Sequence, residues 1–219
     1  MPLSTEFHCH TIYSKDSLVQ PKALVETCRR KGVDRVIISD HNAIQGALEA
    51  QMIAPELVIV GEEIMTTRGE ILAAFVKEEI PAGLTPQETI KRLKEQDAFI
   101  SISHPFDHTR SGHWQEADLL EILPDIDAIE TFNARCLLPS MNRNAAEFAA
   151  RHGIPSTVGS DAHTLWELGR ATLTLPNFNS ASELRAVIRR GIPNVHSTGI
   201  HARLASRYAV LSKKLWGKS

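Results

Sequence analysis

Two pairs of chemically versatile residues with the same spacing lie near the two ends of this 219-residue chain. His8 and His10 close an early apolar run, and Asp161 and His163 follow a later one. Because alternate residues of a strand point to the same face, each pair can direct both side chains at one ion. Imidazole and carboxylate groups together suit Zn, Mn or Fe. The spacing therefore predicts a site for divalent metal ions.

Other histidines and polar residues stand beside the ends of further apolar runs. They are Asp16, Asp40, His41, Glu63, Glu70, His104 and Asn133. Taken singly, each has an ordinary structural explanation, such as a helix cap for Asp40 or a hydrogen-bonded core histidine for His104. The repeated position next to strand ends is what indicates one shared site.

The elements that must position these residues alternate along the chain. Apolar and β-branched runs predict seven strands, at residues 3–8, 34–39, 57–60, 71–76, 98–103, 128–131 and 155–159. Helical periodicity predicts helices at residues 21–31, 43–54, 86–96, 115–122, 140–152, 181–190 and 200–216. This alternation indicates an α/β fold with a mainly parallel sheet, arranged either as an open doubly wound sheet or as a small barrel.

One connection is too short for a crossover helix. Ten residues separate Val60 from Ile71, whereas a parallel crossover needs about a dozen or more. We therefore expect strands 3 and 4 to form a hairpin, which puts Glu70 at the edge where strand 3 ends. All the polar groups named above would then meet at the carboxyl edge, where α/β sheets and barrels carry their sites.

Five carboxylates would converge at that edge, namely Asp16, Asp40, Glu63, Glu70 and Asp161. Like charges at close range cannot all stay ionised unless cations lie between them. Several divalent ions would remove the repulsion, and the candidate ligands are too many for one tetrahedral ion. No cysteines recur at ligand spacing, so a closed structural thiolate site is not expected.

The formal net charge of −2 conceals an asymmetry, because residues 180–219 hold eight basic residues and one acidic residue. In this segment Ile200, Leu204, Tyr208, Leu211 and Leu215 recur at helical spacing. We expect this apolar stripe to pack on the outer or lower wall of the barrel. The length predicts a single domain, residues 1–219, with the basic helical segment 180–219 packed on it.

Composition also bears on the compartment. The three cysteines are scattered and odd in number, which favours a reducing, cytoplasmic environment. A signal peptide and a membrane-spanning run are not evident, so we expect no membrane partner. The sequence does not indicate an oligomeric state.

The order of the motifs resembles the PHP superfamily (polymerase and histidinol phosphatase domains) over essentially the whole chain. The motifs are His8-Cys9-His10-Thr11 with Tyr13-Ser14-Lys15-Asp16, Ser39-Asp40-His41, Gly61-Glu62-Glu63-Ile64, Ser103-His104-Pro105 and Gly159-Ser160-Asp161-Ala162-His163. The resemblance implies a distorted seven-stranded (β/α) barrel with a trinuclear metal site at its carboxyl mouth.

Carried over residue by residue, the resemblance implies two or three divalent ions (Zn, Mn or Fe). The ligands would be His8, His10, Glu63 and Asp161 for the first ion, Glu63 and His104 for the second, and Asp16, His41 and His163 for the third. Glu70 stands where the family often has a histidine, and an oxygen ligand there leans the site from Zn toward Mn or Fe. Asp40 is expected beside the ligands rather than among them.

The activity implied by the resemblance is a metal-dependent phosphoesterase that hydrolyses a small phosphorylated metabolite. A hydroxide bridging two ions would attack phosphorus in line. Arg110 and Arg135, in loops at the mouth, are candidates for binding phosphate oxygens. Asn133 would be a neutral ligand or would face the substrate.

Two other functions stay open at this stage. The basic C-terminal segment favours a nuclease or nucleotide phosphodiesterase, but the rest of the chain is acidic and only 5% of residues are aromatic, so a base-stacking surface is not evident. Glu70, in place of a histidine, leaves room for a non-catalytic, metal-bound regulatory module.

Overall fold

A computed structural model describes residues 2–216 of the chain. The nine strands among them are β1 Leu3–Cys9, β2 Arg35–Ile38, β3 Val58–Met65, β4 Glu70–Ala74, β5 Phe99–Ile102, β6 Ala128–Asn133, β7 Ser156–Gly159, β8 Ala171–Leu175 and β9 Ile192–Val195. The seven α-helices are α1 Pro21–Lys31, α2 Gln45–Ile53, α3 Pro86–Glu95, α4 Glu116–Ile122, α5 Pro139–His152, α6 Ala181–Val187 and α7 Ile200–Trp216. Lys218, counted above in the basic segment, lies outside the described residues.

The strands form a nearly closed barrel. Their order in the sheet is β7-β6-β5-β4-β3-β2-β1-β8-β9, with β4, β8 and β9 antiparallel to their neighbours. At the carboxyl end the barrel closes between β1 and the residues after β7, because the His10 N–H donates to the Ala162 carbonyl at 2.8 Å. The expected α/β barrel of seven strands, β1 to β7, is therefore confirmed as a fold class.

The hairpin expected from the short connection is present. β3 and β4 pair antiparallel with Met65 opposite Glu70, and the turn is closed by the Thr66 N–H donating to the Gly69 carbonyl at 3.0 Å. Met65 is paired with Glu70, so the two side chains lie on the same side of the hairpin. Glu63 is two residues before Met65 and therefore lies on that side as well. Both carboxylates therefore reach the mouth of the barrel.

Two strands were missed by the sequence analysis, which predicted seven. β8 adds antiparallel to the amino-terminal half of β1, and β9 pairs with the other edge of β8. β8 has an alternating Thr and Leu pattern that is typical of a strand, but it is only five residues long. β9 contains Pro193 and is mostly exposed, so its sequence carries little strand signal.

Apolar side chains pack in two layers that follow the alternation of the strands. Val36, Ile38 and Ile100 belong to a cluster between the barrel and its helices, whereas Ile37 and Phe99 belong to a cluster within the lower half of the barrel. Polar residues line the upper half of the barrel interior. The inner apolar cluster therefore lies under the mouth of the barrel.

Helix boundaries follow the capping signals in the sequence. The Thr85 hydroxyl accepts a hydrogen bond from the Glu88 N–H at 3.2 Å at the start of α3, and Ser180 does the same for Glu183 at α6. Gly153 ends α5 with a φ of 65°. None of the helices within residues 2–216 has the length and apolar character needed to cross a membrane.

The expectation for the apolar stripe of α7 is wrong. Ile200, Leu204, Tyr208, Leu211 and Leu215 are all exposed, and α7 lies across the loops at the mouth rather than on the outer or lower wall. Its small and polar face is the one that docks, because backbone carbonyls and charged groups at the mouth offer hydrogen bonds that an apolar face could not make.

Candidate metal centre

Four predicted ligand atoms surround one point in the barrel mouth. Nε2 of His8, Nε2 of His10, Oε2 of Glu63 and Oδ1 of Asp161 lie between 3.1 and 3.7 Å apart in the five pairs that involve a histidine. A tetrahedral ion with ligands at about 2.0–2.1 Å needs its ligand atoms about 3.3 Å apart. The spacing of this four-atom cage thus fits a first-row metal ion.

The cage also contains polar atoms that the described part of the chain leaves without a hydrogen-bond partner. Oε2 of Glu63 and Oδ1 of Asp161 are buried and accept no well-aligned hydrogen bond from the described residues, although Nδ1 of His41 lies 2.9 Å from the Glu63 oxygen and Nε2 of His10 lies 3.2 Å from the Asp161 oxygen. Burying a carboxylate oxygen without a partner is unfavourable unless a cation binds it. The donor set and the unpaired oxygens therefore both fit a metal ion.

Two further groups of predicted ligands adjoin the cage. Glu63 contacts Nε2 of His104 through Oε1 at 3.1 Å, and Glu70 lies 3.5 Å from the same nitrogen. On the other side, the Asp16 carboxylate lies 3.1 Å from Nε2 of His163 and 3.5 Å from Nε2 of His41. The structure thus brings all nine predicted metal ligands into one connected cluster, while their individual roles remain predictions.

A bulge in β1 allows both histidines to face the cage. The register with β2 shifts between Glu6 and Cys9. Phe7 belongs to the cluster inside the barrel, but Cys9 belongs to the outer cluster. In a regular strand, residues 7 and 9 would share a face. The extra residue in the bulge shifts the alternation of inward and outward side chains by one position, so that His8 and His10 point inward above Phe7.

Two of the predicted ligands have strained backbones. His104 and Asp161, each at the start of a loop after a strand, have φ values of 20° and 52°. Non-glycine residues seldom adopt positive φ, and such strain is concentrated at functional sites. The turn aims both side chains into the mouth instead of along the strand.

A second layer of hydrogen bonds holds the histidine rings. Oε1 of Glu130 lies 3.0 Å from Nδ1 of His8, and the other Glu130 oxygen accepts from the His104 N–H at 2.8 Å. Such outer contacts fix the orientation of a metal-binding imidazole. Asp40 also contacts this layer, through the Ser14 hydroxyl, and its role beside the ligands remains a prediction.

The contacts of Asp40 form a relay to the cage. Nδ1 of His10 lies 3.0 Å from the Ser14 hydroxyl, which donates to Asp40 at 2.6 Å. Asp40 also accepts from the Thr11 N–H at 2.7 Å. The relay leaves Nε2 of His10 directed at the cage.

Glu130 was not identified as a site residue by the sequence analysis, and neither was Glu6. Glu6 accepts hydrogen bonds from the Ser160 and Gly169 N–H groups, both at 3.0 Å, and burial raises its pKa to about 7. The available signal was a single carboxylate within each of two strands, at residues 3–9 and 128–133. Such residues are seldom buried unless they are paired.

Without bound ions, the surroundings of His10 favour the neutral form that can bind a metal ion. Burial together with nearby His163 and His41 lowers the pKa of His10 well below its ordinary value, which favours the neutral imidazole that metals require. Burial would also lower the pKa of His8, but the Glu63 and Asp161 carboxylates outweigh it and raise that pKa. The carboxylates of the cage thus attract protons onto His8 when no metal competes.

The three predicted substrate residues surround the cluster but are engaged within the protein. Arg110 contacts Asp161 and donates to Asp107 at 2.8 Å and to the Asn133 amide oxygen at 3.3 Å. The Asn133 amide nitrogen donates to Glu130 and Asp161. Their roles toward a substrate remain predictions.

Arg135 has a different environment, because it lies between the cluster and α7. Nη1 is 2.7 Å from Nδ1 of His163, and Nη2 donates to the Ala202 carbonyl and the Ser206 hydroxyl, both at 2.7 Å. Arg135 is also nearly fully buried. It therefore connects a predicted ligand to the C-terminal helix.

An open cavity of about 430 Å³ leads from the solvent to the cluster. It is lined by Asp16, His41, Glu70, Arg110 and His163 and by side chains that are not predicted ligands, among them Tyr13, Lys15, Asn42 and Met65. The volume is within the range of pockets for small ligands.

Sequence comparisons identify relatives of this chain. Residues 6–120 match the PHP domain, and residues 139–192 match the segment described as PHP-associated. The chain is 36% identical over 181 residues to the uncharacterized protein MJ0417 of Methanocaldococcus jannaschii, covering 81% of this chain and 72% of that protein.

Solved structures share the fold. PsfC from Pseudomonas syringae superposes with a TM-score of 0.71 at 16% identity, covering 96% of this chain and 98% of that one. A "putative metal-dependent phosphoesterase" from Bifidobacterium adolescentis gives 0.62 at 20% identity, covering 86% and 96%. The lesion-specific endonuclease PfuEndoQ from Pyrococcus furiosus gives 0.59 at 18%, covering 87% of this chain and 56% of that one. The domain match and the relative show that this chain belongs to the PHP domain family.

Proposed function

We propose that this protein is a metal-dependent phosphoesterase that acts on a small phosphorylated metabolite. The observation that carries the proposal is the four-atom cage of His8, His10, Glu63 and Asp161, with its two buried and unpaired carboxylate oxygens. Two adjoining ligand groups around Glu63 support more than one ion. When bound, such ions supply positive charge that polarises a phosphoryl group, and they lower the pKa of coordinated water.

The protein's own residues contribute the positions of the reacting groups. Glu130 and the Ser14–Asp40 relay hold the His8 and His10 rings so that Nε2 of each faces the cage. Arg110 places a partly exposed guanidinium beside Asp161, where its remaining N–H groups can donate to phosphate oxygens. Lys15 adds a second cation at the rim of the cavity. These groups favour an anionic ligand next to the metal ligands.

The size and charge of the surroundings support a small substrate over a nucleic acid. At the lower end of the barrel, Arg185 donates to the Asp97 carboxylate and Arg189 donates to the Gly153 carbonyl. Arg203 and Lys213 bind groups at the mouth instead. The basic residues of the C-terminal segment are thus divided between opposite ends, and a continuous basic track, which a polynucleotide needs, is not formed by these four.

A phosphate-release assay tests the proposal. Purified protein loaded with Mn or Zn is incubated with a panel of phosphorylated sugars, amino-alcohol phosphates, nucleoside monophosphates and a phosphodiester such as bis-p-nitrophenyl phosphate. We expect metal-dependent release from at least one small phosphomonoester. Folded, metal-loaded protein that hydrolyses no member of the panel would contradict the proposal.

Two neighbouring glutamates provide a matched pair of variants. Glu63 and Glu62 are consecutive buried residues of β3, but Glu63 faces the cage and Glu62 accepts a hydrogen bond from the Ile80 N–H on the opposite side. Glu63→Gln should reduce phosphate release at least 100-fold and weaken metal binding, whereas Glu62→Gln should preserve both.

The same experiments distinguish the alternatives. Release of nucleotides from an oligonucleotide, with no release from small phosphomonoesters, would favour the nuclease. Metal binding that Glu63→Gln abolishes, in a protein without hydrolytic activity, would favour a non-catalytic module.

A further inference from the structure

The exposed stripe of α7 is a continuous apolar surface along one side of the helix. The exposed fractions of its side chains are 60% for Ile200, 55% for Leu204, 67% for Tyr208, 59% for Leu211 and 77% for Leu215. Single exposed apolar residues are common, but a contiguous set of this kind marks an interaction surface. We therefore expect the stripe to bind a partner.

The opposite face of α7 is fixed to the barrel, so the helix cannot turn its stripe inward. Ala202 and Ala209 are buried against the mouth loops. Arg203 donates to the buried Asp107 carboxylate at 2.8 Å, and the Lys213 ammonium donates to the Ser14 carbonyl at 2.6 Å. Rotation of the helix would break these charged contacts and leave Asp107 without one of its partners.

The spacing within the stripe is that of a helix-to-helix seam. Leu204, Tyr208, Leu211 and Leu215 are separated by four, three and four residues, which is the pattern of d, a, d and a positions in two heptads. At 100° per residue the whole stripe spans only about 80°. An interfacial membrane helix usually presents a broader apolar face, so the narrow seam favours another helix as the partner.

The flanking residues favour a second copy of the same helix in a parallel orientation. Within residues 204–215 this register puts Arg207 and Lys214 at g positions and Ala205 and Ser212 at e positions. Parallel pairing places Arg207 near the neutral Ser212 of the other chain. Antiparallel pairing would bring Arg207 close to Lys214 of the second copy, and like charges would repel.

The area is sufficient for a dimer. The five side chains expose on the order of 600 Å² in each chain, so pairing would remove at most about 1,200 Å² in total, near the lower limit of a standard specific interface. We propose that α7 is the interface of a homodimer in which two α7 helices pack in parallel through this stripe. The proposal rests on α7 alone and does not depend on the catalytic activity.

Light scattering coupled to gel filtration tests the proposal on the full chain between 1 and 100 µM. We expect a dimer that dissociates on dilution, and at least a tenfold weaker dimer for the double variant Leu204→Glu with Leu211→Glu. The control is Leu48→Glu with Leu120→Glu, which changes two exposed leucines outside α7 and should leave the dimer unchanged. A monomer at 100 µM, or a dimer that survives the α7 double variant, overturns the proposal.

Cross-linking tests the orientation, and it uses chains whose stripe is otherwise intact. A Leu204→Cys substitution in a Cys136→Ser background should form a disulfide between two copies in the parallel dimer, because equivalent d positions face each other. If cross-linking instead requires mixing Leu204→Cys with Leu215→Cys, the parallel arrangement is wrong. If monomeric protein co-sediments with vesicles of phosphatidylglycerol and the α7 double variant does not, a lipid surface replaces the second copy.

Discussion

Nδ1 of His8 lies 3.0 Å from Oε1 of Glu130, a residue 122 positions further along the chain. The same carboxylate accepts from the backbone N–H of His104 at 2.8 Å. Glu130 therefore couples the first strand of the barrel to the loop after β5, and it orients two predicted metal ligands from outside the cage. Its substitution should affect metal binding without removing a ligand.

We expect Glu130→Gln to weaken the binding of Mn or Zn by about 10- to 100-fold, since loss of an outer carboxylate costs that much at other histidine–metal sites. Calorimetric titration of the metal into chelator-treated protein measures the change. Glu147→Gln, on the exposed face of α5, is the matched control and should bind as the wild type does. Unchanged affinity in Glu130→Gln would show that the contact does not orient His8.

Gly159 makes room for this contact. A Cβ atom at position 159 would collide with Oε1 of Glu130 and with Cβ of His8. We expect Gly159→Ala to lower the free energy of unfolding by about 1–3 kcal/mol through overpacking, and to weaken metal binding as the ring of His8 shifts.

The control for Gly159 is Gly153→Ala at the end of α5, where a Cβ meets no atom within 4 Å but φ is 65°. That change should cost about 1 kcal/mol through backbone strain alone and leave metal affinity unaltered. Equal effects of the two variants on metal binding would contradict the proposed role of Gly159.

Metal removal should destabilise the fold. Buried oxygens of Glu63 and Asp161 lose their counter-ion when the site is empty, and a ligand that binds only the folded state stabilises it by about 2.7 kcal/mol at a concentration 100 times its Kd. We expect the Tm to fall on treatment with a chelator and to recover with Mn or Zn. Addition of Mg to the same concentration is the control for ionic strength, and an unchanged Tm after verified metal loss would be inconsistent with this site.

The stability of the fold should depend on pH through Glu62, which is not part of the four-atom cage. Burial raises its pKa from 4.5 to about 8, and its Oε1 has no hydrogen-bond partner among the described residues. Between these two pH values the folded chain holds a proton that the unfolded chain has released. Stability therefore falls as pH rises, by up to about 1.4 kcal/mol for each pH unit.

The Glu62→Gln variant lacks this ionisation. In chelator, the difference in free energy of unfolding between Glu62→Gln and the wild type should grow in favour of the variant from pH 5 to pH 8. Denaturant titrations at the two pH values measure it. A difference that is the same at both would show that Glu62 titrates normally.

The placement of the site could be predicted from the sequence because the underlying rules are local. His8, Glu63 and Asp161 follow or end short apolar runs, and parallel strands bring their carboxyl ends to one edge. The ten-residue connection excluded a crossover helix, so the hairpin and the position of Glu70 followed from chain length alone. Capping by Thr85 and Ser180 depends on neighbours within three residues and was equally accessible.

Other features depend on contacts between distant parts of the chain. The phase shift between Phe7 and Cys9 exists because β1 must pair with β2 while the barrel closes against Ala162. Glu130 can be assigned to the site only once the barrel brings its side chain against His8 of β1. The face of α7 that docks was mispredicted, because hydrophobic periodicity identifies an apolar stripe but not what covers it.

The sequence by itself therefore determined the helices, the first seven strands and the predicted ligands that gather at the mouth, since periodicity, capping and chain length act over a few residues. Only the tertiary structure decided which way each side chain points and which face of α7 is buried. Both depend on packing and hydrogen bonds between residues that are far apart in the sequence, such as Arg203 and Asp107. A local sequence pattern carries no information about the energies of those contacts.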